Sequence, residues 1–276
     1  MNKRLTIITL IIMLVIGGLI SGLYAGPIQK ALTPIMTNAM GNNTPQKPAN
    51  AGQATAQPQQ PGQAKNPNTG GMQNKMNPNQ ANVLAQDSFQ RTNQQLWGQS
   101  SDGRKWEGDA NTLQVFSIAG ATGQMANGQG TVNAVLGPTN DNVDVLANGA
   151  VNQFGNGVNF GVVLRWTNGQ NWYKALIDGQ HLSILKRVNG KSTQIGSVTF
   201  AAQKGSVYSI RFRAIGAMLF AKVWRSDTKE PDRWMIVISD PELKTGQAGL
   251  RVVLQPTTVV RVTSFIATPA AMGNDL

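Results

Sequence analysis

The chain has no cysteine among its 276 residues, which excludes disulfide staples, thiol catalysis and cysteine-based metal centres. Histidine is almost as scarce. The one copy, His181, cannot build a histidine cluster for a metal, and alone on a polar strand it reads as a surface residue before a catalyst. Acidic residues are missing until Asp87. Ahead of it stand Lys3, Arg4, Lys30, Lys47, Lys65 and Lys75, so a large part of the formal net charge of +11 lies in the N-terminal third; from Asp87 onward 18 Lys and Arg face 13 Asp and Glu. Such an excess favours anionic partners such as lipid headgroups, acidic wall polymers or nucleic acid, and it also simply keeps a protein soluble.

Val, Ile, Leu, Phe, Trp and Tyr are all absent from residues 41–82, where Asn, Gln, Pro and Gly supply 28 of the 42 positions. A segment with so little to bury cannot offset the entropy of ordering, so residues 26–86 read as a disordered linker. As a flexible coil it spans on the order of 40–50 Å. Before it, Leu5 to Tyr24 is apolar apart from Thr6, Thr9 and Ser21, a run about 30 Å long as a helix and enough to cross a bilayer. Lys3, Arg4 and the free amine outweigh Lys30, so residues 1–25 predict a transmembrane anchor that leaves the chain after it outside the cytoplasm. The competing reading is a signal peptide cleaved after Ala25, although Leu23 occupies a position where a small residue is wanted. Both place the remainder outside, at the cell membrane or secreted.

Helical periodicity is the last absence, for no segment of residues 87–269 shows it convincingly. Four Xaa-Gly pairs, Asn168-Gly169, Asp178-Gly179, Asn189-Gly190 and Ile215-Gly216, punctuate runs rich in branched and aromatic residues. Asn-Gly and Asp-Gly accept the positive φ angles of two-residue hairpins, whereas Ile resists them. Further strands are expected at Thr112 to Ile118, Thr131 to Leu136, Val143 to Ala147, Trp234 to Ser239, Gly249 to Leu254 and Val259 to Thr268. The fold class is therefore all-β, an antiparallel two-sheet sandwich over residues 87–269 with a flexible tail at 270–276.

The turns impose a register, and the register sorts side chains onto two faces. Centring the first turn on Asn168-Gly169 sets Arg165 opposite Trp172 and Val163 opposite Lys174. Carrying the alternation on gives one face of Arg165, Trp172, Lys174, His181, Ser183, Arg187, Ser192 and Gln194, and another of Val162, Leu164, Trp166, Tyr173, Ala175, Ile177, Leu182 and Ile184. The second is the expected core. Around Ile215-Gly216 the same sorting places Arg211, Lys222 and Trp224 with Ser209, Arg213 and Phe220, away from Tyr208, Ile210, Phe212, Leu219, Ala221 and Val223.

Indole platforms beside basic and hydroxyl side chains suit a sugar ring, which stacks its C–H face and hydrogen-bonds its hydroxyls or carboxylates. Arg165, Trp172, Lys174 and His181 are the central candidates, with Arg211, Lys222 and Trp224 as a second group. The alternative is that loops cover these indoles and the arginine stems merely pack on them. Nucleic acid is not expected, because few charges are involved and an exported domain rarely meets it. Catalytic signals are weak, since the carboxylates are scattered. Ser101, Asp102, Glu107 and Asp109, or Asp141 and Asp144, offer oxygen ligands for Ca²⁺, though solvated turns account for them too, and no cofactor is expected.

The ordered run of Asp87-Ser88-Phe89-Gln90-Arg91, Gly161 to Trp166 with Asn171-Trp172-Tyr173, Val188-Asn189-Gly190, Ala221 to Trp224 with Glu230-Pro231 and Trp234, and Gly249-Leu250-Arg251 resembles the laminin G-like branch of the concanavalin A-like lectin/glucanase superfamily. Domains related to 3-keto-disaccharide hydrolases are similar. The resemblance implies a jelly-roll sandwich whose concave sheet commonly carries glycans. The carboxylates of the catalytic glucanase members are missing here. The combined expectation is a membrane-anchored, surface-exposed module that binds a carbohydrate or acidic polysaccharide without turning it over. Its alternatives are a hydrolase of modified disaccharides and a structural or adhesion module for protein partners.

Overall fold

The computed structural model describes residues 83–271. The expected membrane anchor, the linker up to residue 82 and most of the tail lie outside the described residues; the last linker positions are corrected, because Ala85 and Gln86 belong to a strand paired with Ala267 and Ile266 and Ala85 is buried. Within them no helix is long and apolar enough to cross a membrane.

Sixteen strands build two sheets: β1 (Ala85–Asp87), β2 (Gln94–Gln95), β3 (Glu107–Gly108), β4 (Phe116–Ala119), β5 (Thr122–Ala126), β6 (Gly130–Asn140), β7 (Val143–Val151), β8 (Phe160–Asn168), β9 (Asn171–Ile177), β10 (His181–Val188), β11 (Lys191–Thr199), β12 (Val207–Ile215), β13 (Met218–Arg225), β14 (Ile236–Ser239), β15 (Gly246–Leu254) and β16 (Val259–Pro269). One sheet runs β14-β13-β12-β7-β16-β5-β4-β2, with β1 also on β16, and the other β11-β10-β9-β8-β15-β6-β3. All pairings are antiparallel.

Alternation explains why the sheets face each other as they do. Val162, Leu164, Tyr173, Ala175, Ile177, Leu182 and Ile184 from one sheet meet Tyr208, Ile210, Phe212, Leu219, Ala221 and Val223 from the other in a single buried core. Each fully buried side chain of this size contributes about 1.5–3 kcal/mol. Those residues are the expected core set apart from Trp166.

The turns differ from expectation in an instructive way. Asn189-Gly190 is the two-residue turn its sequence predicts, with φ of 48° and 83° and Arg187 opposite Ser192. At the second and fourth turns, however, the glycine takes the first central position: Leu182 pairs Ile177 around Gly179-Gln180, and Ile215 pairs Met218 around Gly216-Ala217. Gly179 and Gly216 supply the positive φ there, which spares Asp178 and Ile215 from it. Moving a turn by one residue moves the pairing by two. Side chains therefore stay on their expected faces although His181 no longer lies opposite Leu176.

Asn168-Gly169 fails more seriously. Pairing is as expected at Val163–Lys174 and Leu164–Tyr173, then breaks into a bulge before Asn168–Asn171. Arg165 sits in that bulge at φ 51°, and alternation is reversed across it. Arg165 turns toward the Tyr173 side, 6.0 Å from that ring, while Trp166 joins Trp172 beneath Arg251. The shared outer face of Arg165 and Trp172 is thus corrected, and so is the core position of Trp166.

Residues 92–111 do not cap an outer sheet face. They turn inward, delivering Trp97 and Trp106 to an aromatic cluster with Phe89, Phe116 and Phe265 at centroid spacings of 4.9–5.9 Å. Buried Asp87 organises this end. It accepts hydrogen bonds from the Trp106 indole at 2.7 Å, the Phe89 and Ser101 amides, and both terminal nitrogens of Arg91. Asp102 is likewise committed, to the Gln86 amide, Ser100 and Arg104, and no cluster of three metal-ligating side chains occurs among the described residues. Replacing Asp87 with Ala strands four buried or half-buried donor groups, so urea denaturation should show a loss of about 3–5 kcal/mol; a loss under about 1 kcal/mol would contradict the role assigned to this carboxylate.

Candidate functional site

The expected central group does not come together. Arg165 is only 3% exposed and donates to the carbonyl oxygens of Asp141, Leu243 and Gly216, which ties the turns of both sheets at one edge of the sandwich. Burial lowers its pKa, yet three carbonyl acceptors keep it a structural cation. Trp172 is 3% exposed and its indole donates to Gly169, so it offers no open ring to a sugar. Lys174 is sealed on the outer side of the seven-stranded sheet. Its amine donates to Asn159, and Gly161 makes the room, because a Cβ there would lie 2.3 Å from the lysine Cε. His181 is half-exposed near Asp178, with Nδ1 3.5 Å from the carboxylate.

The second group is different, because it borders an open groove on the outer face of the nine-stranded sheet. Arg211 and Lys222 are cross-strand partners on β12 and β13. The connection after β13 folds back over them, held where Lys222 donates to the Pro231 carbonyl at 2.7 Å and where the Met235 amide donates to Ala221. Between strands and connection lies a groove of about 870 Å³ lined by Arg211, Arg213, Lys222, Glu230, Trp234 and Val237, with Lys229, Asp232 and Arg233 at its exposed rim. Trp224 shares this sheet face but is 8% exposed and stands outside the lining. That corrects its expected role as a platform.

Ion pairs hold the groove's floor. Arg211 bridges Asp144 at 2.9 Å and Glu230 at 2.8 Å, Lys222 reaches Glu230 at 2.8 Å, and Arg213 meets Asp144 at 2.6 Å. Burial works against the charge on Arg211, but the hydrogen bonds it donates to the carboxylates of Asp144 and Glu230 outweigh it and lift its pKa above the usual range. Glu230 shows the mirror effect: burial would raise it, yet Lys222 and Arg211 bring it below the ordinary carboxylate value. Trp234 packs on Phe220 and lies under Arg213 and Lys222 at 4.9 and 4.7 Å. Nearby Val237 is 45% exposed. The groove thus combines an indole and an aliphatic patch with charged donors and acceptors at fixed positions.

No family model matches the chain, and no curated protein is similar to it. Solved structures are. A GH43 protein of Bacillus licheniformis aligns with a TM-score of 0.52 at 12% identity over 67% of this chain and 39% of its own. A bifunctional GH43-CE protein of Bacteroides eggerthii gives 0.51 at 10% over 68% and 28%, and a xylan β-1,4-xylosidase of Bacillus halodurans C-125 gives 0.50 at 8% over 66% and 38%. The likeness is one of fold. It agrees with the antiparallel two-sheet sandwich expected from the sequence, and the chain spans less than two fifths of the length of these three proteins.

Sequence reasoning placed Arg211 and Lys222 correctly on an outer face and missed Trp234 as a site residue. The signal was present: Glu230-Pro231 followed by Trp234 is a polar, proline-marked turn carrying a large apolar side chain just before a strand.

Lys174 gives a test of the buried outer face. Burial, with Arg251 as a lesser cause, pushes its pKa well below the usual 10.5. The folded state then binds fewer protons than the unfolded one between the lowered value and 10.5, so this group makes stability rise with pH across that interval. Lys174→Met should raise stability at pH 7 by on the order of 1 kcal/mol and flatten the alkaline rise. Equal stability and an unchanged pH slope in thermal denaturation would contradict it.

Proposed function

We propose that this domain is a carbohydrate-binding module whose site is the groove around Trp234, and that it binds an acidic polysaccharide without cleaving it. The observation that carries this is the pairing of a half-exposed indole with an excess of cations in an open groove: Arg211, Arg213, Lys222, Lys229 and Arg233 against Glu230 and Asp232, with Asp144 behind. Sugar rings stack an apolar face on indole while carboxylates and hydroxyls take the charged donors. Glu230, fixed by Arg211 and Lys222, is there to accept hydrogen bonds from hydroxyls.

Electrostatics favour binding over hydrolysis. A general acid must hold a proton near neutral pH, and the cations around Glu230 push it the other way. The proposal extends to location: an apolar N-terminal run anchors the chain in the membrane, and the polar segment after it carries the module into the extracytoplasmic space, where envelope or extracellular polysaccharide is the ligand.

Affinity electrophoresis with polygalacturonate against neutral xylan tests the reading. The acidic polymer should retard the protein more strongly, salt should weaken the effect, and Trp234→Ala should cost about tenfold in affinity while a cooperative melting curve shows that the variant stays folded. Binding that ignores Trp234→Ala, or no retardation by either polymer, would overturn it. Release of reducing sugar would instead support the hydrolase alternative.

A further inference from the structure

The two outer faces treat their cations oppositely. On the nine-stranded sheet Arg211, Arg213 and Lys222 all meet carboxylates. On the seven-stranded sheet Arg187, Arg251 and Lys174 meet none within ion-pair distance among the described residues.

These three basic side chains gather around one indole. Arg187 is the cross-strand partner of Trp172, the Arg251 guanidinium lies 4.6 Å over that same ring and 5.8 Å from Trp166, and Lys174 follows Trp172 on the same face of β9. Their partners are neutral. Arg187 donates to Gln170 and Ser192 and leaves its buried Nε without an acceptor; Arg251 donates to Asn133 and Lys174 to Asn159. Asp109 reaches Arg251 only through Asn133, whose backbone and side-chain nitrogens occupy it, and Glu107 is taken by Gln247. Burial and the charge of Arg187 lower Arg251 to about 10.

Like charges held together in a half-buried setting repel, and each neutral acceptor offsets only part of the lost hydration. A bound anion would supply what is missing, an acceptor for charge-assisted hydrogen bonds from two guanidiniums. We propose that Arg187 and Arg251, with the sealed Lys174 adding its charge from beneath, form a binding site for an oxyanion, the carboxylate, sulfate or phosphate group of an anionic solute or polymer. This site lies on the opposite face from the groove around Trp234 and is independent of it.

Isothermal titration and thermal shift with inorganic sulfate, inorganic phosphate and tri-galacturonate test this, using the full chain in its wild-type and Trp234→Ala forms. Saturable binding should persist in Trp234→Ala, and Arg187→Gln should weaken it roughly tenfold or more, while Lys204→Gln, an equal loss of charge at an exposed position outside both sites, should leave it unchanged. Arg251→Gln gives a second reading, with folding checked by the melting curve. Binding of the inorganic ions marks a site for free oxyanions, and binding of tri-galacturonate alone marks one for carboxylates borne on sugar. No saturable binding of any of the three, or equal weakening by Arg187→Gln and Lys204→Gln, would overturn the proposal. Loss of binding through Trp234→Ala alone would assign it to the groove and overturn the second site.

Discussion

The polar side chains on the two outer sheet faces are positioned by an apolar contact, the packing of alternate side chains between two antiparallel sheets. Val162, Leu164, Tyr173 and Ala175 on one side and Ile210, Phe212, Ala221 and Val223 on the other are buried together, and each leaves its neighbours in sequence to face outward. A slip of one residue would bring Arg211 and Lys222 inside. That would bury charge without hydration and is ruled out by its cost. A slip of two changes neither face, so local turn chemistry is free to choose it.

This freedom explains how much of the structure was legible in the chain. The sandwich, the outward position of Arg211 and Lys222, and the core of the central strands follow from alternation, which survives a misplaced turn centre. Arg165 and Trp166 were misread because a bulge inserts residues into one strand only, and nothing in Leu164-Arg165-Trp166-Thr167 announces it. Trp97 and Trp106 were hidden for another reason. They lie in irregular chain, where no period exists to betray which side chain points inward, and a buried carboxylate, Asp87, holds the turn that delivers Trp106.

Trp172 and Trp224 show where a residue type alone misleads. Both stand on outer faces, yet each is nearly as buried as the core. An indole placed among long basic side chains attracts them over its ring, so the feature that makes a surface resemble a sugar platform can also close it. Trp234 also has Arg213 and Lys222 over its ring, but it rides on a connection standing off the strands and stays partly exposed beside a groove. The cations differ in the same way. Those beside Trp234 are neutralised by Asp144 and Glu230, which fixes their geometry, whereas those around Trp172 rest on amide and hydroxyl oxygens.

Indole proton–nitrogen correlation during titration with an acidic oligosaccharide would test the site most directly, since only six tryptophans give signals. The Trp234 resonance should move saturably while those of Trp97 and Trp106, sealed in the core, stay in place. A saturating titration that leaves Trp234 unmoved would contradict the assignment of the carbohydrate site to this groove.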